Sequence, residues 1–153
     1  MANILIIYHT QGGNTQRMAE AVAAGAAIVK DTKVVLKRAE DAVIQDLVSC
    51  DGIIIGSAEY FGYMAGMIKD FFDRTYEAVK GTPRIARKPY TIFISAGNDG
   101  RNARDQIERI CLGYSFKKVY EPLILRGCPE EEGLKKCREM GQTIAAGCDL
   151  GIY

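Results

Sequence analysis

Four short runs of near-continuous apolar residues set the tightest constraint on this chain: Ile4–Tyr8, Gly52–Gly56, Tyr90–Ser95, and Leu123–Leu125 with Val119 and Tyr120 just ahead of it. Each is strand-sized. Their unbroken Ile and Val content suits strands covered on both faces, as in a parallel sheet held between two layers of helices. A fifth, more polar run, Lys33–Lys37, reads as an edge strand. Pro122 lacks the N–H a ladder needs, which places the last strand at an edge too.

Helical patterns separate these runs. The clearest carries Met64, Met67, Ile68, Phe71, Phe72, Thr75, Tyr76 and Val79 at i, i+3, i+4 spacing, with Asp70, Asp73, Arg74 and Glu77 on the other side. Asn14–Ala26 is Ala-rich with Met18 and Val22, a good helix former able to pack closely. Arg101–Gly113 is expected to bury Ile107, Ile110 and Cys111, and Glu130–Gly147 to bury Leu134, Cys137 and Ile144, with Cys148 continuing the stripe. A weak helix over Val43–Val48 links the second and third strands. The resulting order, βαβαβαβαβα, requires right-handed crossovers and a doubly wound α/β sandwich. At 153 residues the chain has room for one such domain, spanning 1–153.

Composition removes several functional classes. With 48% hydrophobic and 25% charged residues the chain is neither disordered nor fibrous. Twenty Lys and Arg against 19 Asp and Glu give a charge of +1, which argues against a nucleic-acid binder with a strongly basic face. The first apolar run is too short for a secretory core or a membrane span, so the reading is cytoplasmic with no membrane span. Five cysteines, Cys50, Cys111, Cys128, Cys137 and Cys148, with no C-x-x-C and one histidine, fit neither a disulfide framework nor a zinc site. They read as buried thiols.

In folds of this kind ligands bind at the carboxyl ends of the strands. After the first strand, Thr10-Gln11-Gly12-Gly13-Asn14-Thr15 opens directly into a helix. Helix-start N–H groups, two glycines and neutral hydroxyl and amide side chains suit a phosphate, although an ordinary turn with Thr or Asn as N-cap reads equally well. Neither a Walker A motif nor G-x-G-x-x-G is present. After the third strand, Gly56–Met64 places Glu59, Tyr60, Phe61, Gly62 and Tyr63 in a loop, where aromatic faces could flank a planar heterocycle. After the fourth, Ala96-Gly97-Asn98-Asp99-Gly100 supplies amides for polar ring atoms. His9 adjoins the first loop and reads as structural or peripheral. Arg84, Arg87 and Lys88 form a basic connection that could meet a dinucleotide phosphate.

Taken together, the three loops resemble those of the flavodoxin-like FMN-binding superfamily over essentially the whole chain. Thr10–Thr15 is similar to its phosphate loop. Asp51–Thr75 resembles NAD(P)H:quinone oxidoreductases of the tryptophan-repressor-binding-protein type and related NAD(P)H-dependent FMN reductases, which share G-[ST]-P-x-x-F-G-x-M-[AS]-G-x-x-K-x-F-x-D. Ala58 stands where that pattern has Pro, so the loop is expected to be less rigid. The resemblance implies a flavodoxin-like three-layer sandwich with a five-stranded parallel sheet in the order 2-1-3-4-5. It also implies FMN as cofactor, held by Thr10, Gln11, Gly12, Gly13, Asn14 and Thr15 at the phosphate, by Glu59, Tyr60, Phe61 and Gly62 at the ring, and by Ala96, Gly97, Asn98, Asp99 and Gly100 at its polar edge. NAD(P)H is the implied electron donor, a quinone or similar small molecule the acceptor, and a homo-oligomer is compatible. No side chain is required as acid or base. A one-electron carrier for a partner protein is the alternative; the charge of +1 and the absence of Trp lean away from it.

Overall fold

A computed structural model describes residues 1–153. The strands are β1 (Asn3–Tyr8), β2 (Lys33–Arg38), β3 (Gly52–Tyr60), β4 (Tyr63–Met64), β5 (Pro89–Ala96), β6 (Lys117–Lys118) and β7 (Leu123–Arg126). The α-helices are α1 (Asn14–Ala27), α2 (Ile44–Ser49), α3 (Gly66–Val79), α4 (Arg101–Gly113) and α5 (Glu131–Asp149). The sheet runs β2-β1-β3-β5 and then β6 and β7, which share the fifth position beside β5; all these pairings are parallel. The expected order of five parallel strands holds, with both polar or Pro-containing strands at the edges. Only β4 is antiparallel, as a short return on the end of β3.

Alternation along the strands divides the core in two. Ile4, Ile6 and Tyr8 of β1, Ile54 of β3 and Phe93 of β5 face Met18, Val22, Met140 and Ile144 of α1 and α5. Leu5 and Ile7, Ile53 and Ile55, and Ile92 and Ile94 face Leu47, Ile68, Phe71, Phe72 and Ile107 of α2, α3 and α4. A strand buried on both sides needs apolar residues at every position, which is why the runs show no polar alternation.

Pro122 interrupts the fifth strand rather than sitting in it. The chain leaves the ladder after Lys118 and re-enters at Leu123, and the Thr91 hydroxyl donates to the Tyr120 carbonyl across the gap at 2.8 Å. In α5 the helix extends two residues beyond the expected Gly147, while Leu134 and Cys148 are only half-buried. Ile110 of α4 is half-buried as well.

Helices α1 and α5 meet at backbone distance. A Cβ on Gly25 would lie 1.9 Å from the Arg138 carbonyl oxygen, and one on Gly141 would lie 1.9 Å from that of Val22. No side chain can give way there, because the obstacle is backbone. Replacing Gly141 with Ala should therefore lower the unfolding free energy by about 1–3 kcal/mol, the range for overpacked cores, read as a lower urea midpoint at unchanged m-value.

Four of the thiols are sheltered and one is not: Cys50, Cys111 and Cys137 are buried, Cys148 is half-buried and Cys128 is exposed. Burial pushes Cys50, Cys137 and Cys148 up to about 11, and Cys111 well above the ordinary thiol value. At pH 8 these groups are almost wholly protonated and poor nucleophiles. Iodoacetamide at that pH should label Cys128 alone in the native protein, and the others only on unfolding, as counted by intact mass.

Candidate functional site

The connections leaving the carboxyl ends of β1, β3, β5 and β7 enclose a hollow of about 290 Å³. Thr10, Gln11, Gly12, Asn14, Thr15, Ala58, Glu59, Tyr60, Ser95, Ala96, Gly97 and Gly127 line it. Among them Glu59 is the only charged side chain.

The first loop owes its shape to Gly13, whose φ of 98° lies in the left-handed region and which occupies the N-cap of α1. No side chain caps the helix; the Thr10 hydroxyl instead accepts the Gly13 N–H at 2.9 Å. The N–H groups of Gly12, Asn14, Thr15 and Gln16 find no acceptor in the protein, and no acidic residue occupies the first turn to compete for them. Thr15 is 1% exposed, lines the hollow, and its hydroxyl has no hydrogen-bond partner. Unpaired donors converging at a helix start suit a phosphate, and the nearest cation on this loop, Arg38, donates to the Thr10 carbonyl at 3.1 Å rather than lining the hollow.

The second segment is not the loop expected over Gly56–Met64. Strand β3 continues through Ser57 and Ala58, which pair with Ile94 and Ser95, as far as Tyr60. Proline at position 58 would remove an N–H there, so the Ala replaces a Pro with a residue that can donate to a ladder; the position is a strand and not a loosened loop. The chain then reverses through Phe61 (φ 54°) and Gly62 (φ 68°), and β4 returns with Tyr60 opposite Tyr63. Two central residues at positive φ make the mirror-image turn that suits hairpin twist. The Asn102 amide donates to the Gly62 carbonyl at 2.7 Å and ties the turn to α4. At the base, the Ser57 hydroxyl accepts the Ala65 N–H at 2.9 Å. Tyr60 lines the hollow, and burial raises its phenol above the usual value, offset in part by the Gln11 backbone and Arg38. Phe61 points fully into solvent, and neither it nor Gly62 lines the hollow.

The third segment is largely committed to internal bonds. Glu59 accepts the Asn98 N–H at 2.7 Å and the Gly100 N–H at 2.9 Å, one on each carboxylate oxygen. Asp99 accepts the Arg101 N–H at 3.0 Å, and the Ala96 carbonyl accepts from Gly127 at 3.0 Å. Gly100 (φ 68°) has no room for a Cβ, which would lie 2.9 Å from Ile124 and 3.0 Å from Ala96. Ala96 and Gly97 face the hollow, whereas Asn98, Asp99 and Gly100 stand behind it, as does Gly13 in the first loop.

His9 lies beside the hollow without lining it. Its Nδ1 is 3.4 Å from a Glu40 carboxylate oxygen and its ring is edge-on to Tyr60, so its place is peripheral. Arg84, Arg87 and Lys88 are at the wrong end of the sheet for a ligand in this hollow. Lys88 precedes β5, whose eight residues put it roughly 26 Å from the carboxyl edge. Lys88 donates to the Cys50 carbonyl and Arg84 to that of Val48, so both serve the carboxyl end of α2. Ala58, Ser95 and Gly127 line the hollow but were not among the sequence candidates. Gly127 was detectable as the glycine directly following the last strand, at the carboxyl edge where ligands bind in such sheets.

A hollow at the carboxyl edge of a flavodoxin-like sheet, with a neutral phosphate cradle at one end and an aromatic wall at the other, defines a flavin mononucleotide-binding protein. The model of the family described as NADPH-dependent FMN reductase matches residues 3–119, and the chain belongs to that family. It is 41% identical to a flavodoxin of Aquifex aeolicus (strain VF5) over 95% of this chain and 86% of that protein. Its fold is similar to that of a flavodoxin from the domain Archaea (TM-score 0.83, 23% identity, 96% of this chain and 99% of the other). It is equally similar to that of a flavodoxin, WrbA-like protein from Agrobacterium tumefaciens (TM-score 0.83, 23% identity, 98% and 99%).

The donor set fits the flavin phosphate, and a test can isolate it. Thr15→Val removes one unpartnered hydroxyl at nearly constant volume. It should weaken FMN about tenfold while leaving the weaker binding of riboflavin, which has no phosphate, unchanged in a fluorescence titration.

Proposed function

We propose that the chain is an FMN-dependent oxidoreductase that accepts reducing equivalents from NAD(P)H and passes them to a quinone or a similar small acceptor. Bound FMN would supply the redox chemistry, and the protein would bind it, orient it and control what reaches it. The N–H groups of Gln11, Gly12, Asn14 and Thr15 would hold the phosphate, Tyr60 would give the ring an aromatic wall, and Gly97 would offer a donor to its polar edge.

The observation that carries this reading is that Tyr60 is the only aromatic side chain lining the hollow, because Phe61 is turned fully outward. A flat ring seated against Tyr60 keeps its other face clear for a second flat molecule, which is what a nicotinamide or a quinone needs. The charge of +1 supports the same reading, since it gives the surface no strong field for steering a charged partner protein. The family description names NADPH as donor, in keeping with it. A one-electron carrier is the second reading, favoured by the 41% identity to a flavodoxin.

Anaerobic reduction of the FMN-loaded protein separates the two. Under the proposal NADPH or NADH bleaches the flavin absorbance within seconds and a soluble quinone restores it. Reduction by dithionite alone, with neither nicotinamide effective over an hour, would favour the carrier.

A further inference from the structure

Glu59 is the one charged side chain on the wall of a hollow otherwise built from neutral groups. It stands near the end of β3, where its backbone pairs with Met64 of β4, so a rigid strand fixes where the side chain starts. Both carboxylate oxygens are engaged across a sequence gap of about forty residues, Oε1 with the Asn98 N–H and Oε2 with the Gly100 N–H. Charge-assisted bonds from two backbone amides to one carboxylate are strong and directional. They pin the 97–100 segment at two points, with Gly97 next to the pinned Asn98 and on the wall of the hollow. The Gly97 N–H has no acceptor in the protein, and Gly97 has open space where a Cβ would be. Gly100, the second pinned residue, is also the N-cap of α4, so the same carboxylate anchors the start of that helix.

We propose that Glu59 is the positioning residue for the polar edge of the flavin, acting in two ways: its clamp presets Gly97 as a donor, and its fixed charge opposes negative charge on the reduced ring. The second effect follows from geometry alone. An electron pair added to a ring beside a carboxylate costs more than one added beside a neutral group, and no cation lines the hollow to offset it. The inference rests on the FMN site described above and goes beyond it by giving Glu59 a role other than direct contact.

Two substitutions separate clamp from charge. Glu59→Gln keeps the length but has one acceptor oxygen and no charge, so its amide N–H₂ faces a backbone donor. Glu59→Asp keeps the charge but is one methylene short of the two amides. Both should speed hydrogen exchange at Asn98 and Gly100 and weaken oxidised FMN about tenfold. Only Glu59→Gln should also change the ratio of affinities for reduced and oxidised FMN, raising it about tenfold and with it the midpoint potential of the bound flavin. Faster exchange with FMN affinity within twofold of wild type in both variants would reduce Glu59 to a loop brace and overturn the proposal. An equal change of ratio in both variants, or none in either, would overturn the charge effect. Wild-type protein that takes up no FMN would remove the site itself, an outcome visible before any variant is made.

Discussion

The architecture depends on covering both faces of a parallel sheet, and on one face that cover is possible only because two helices touch through their backbones. Gly25 and Gly141 let α1 and α5 approach until the carbonyls of Arg138 and Val22 occupy the space where side chains would be. Both helices can then lie over β1, β3 and β5 and seal Ile4, Ile6, Ile54 and Phe93 from water. The start of α1 is fixed by that packing, and the proposed phosphate cradle uses the first N–H groups of the same helix. The body of α1 thus belongs to the core, while its first turn keeps unpaired donors on the wall of the hollow.

The electrostatics of the hollow follow from where charges were left out. Nothing basic lines it, and the donors are backbone amides and hydroxyls whose positions the fold sets. The basic stretch before β5, a natural suspect for phosphate contact, spends its Lys88 and Arg84 on the carbonyl end of α2 at the opposite edge of the sheet. Such cations stabilise helix ends and need no ligand to explain them.

Much of the fold was legible because burial on two faces leaves a signature in single runs: Ile4–Tyr8 and Tyr90–Ser95 could hardly be anything but interior strands. The extension of β3 to Tyr60 was not. Ser57, Ala58 and Glu59 lack β propensity, and their strand conformation is imposed by pairing with β5 and β4, partners distant in sequence or formed only after the turn. For the same reason Phe61 read as a ring-stacking residue. A positive φ at a phenylalanine is set by the hairpin and is invisible in composition, and it sends the side chain outward. The first loop was readable from its glycines and its position before a helix. The third read as a binding loop, but what the fold does with it, two amides held by Glu59, rests on a contact between residues some forty positions apart. Local patterns identify which segments reach the carboxyl edge; only the assembled sheet decides which of their groups remain unspent.

The broken fifth strand has a consequence of a different kind. An unbroken edge would offer a row of free N–H and C=O groups to any other chain with an exposed strand. Here that side offers two residues, a gap around Pro122, and then four. The opposite edge, β2, carries Lys33, Lys37 and Arg38. The sheet is thus guarded against lengthening by addition of another strand at either side. If copies of this chain assemble, the contact has to be made by helices and loops, which leaves the carboxyl edge and its hollow as the part of the sheet open to visitors.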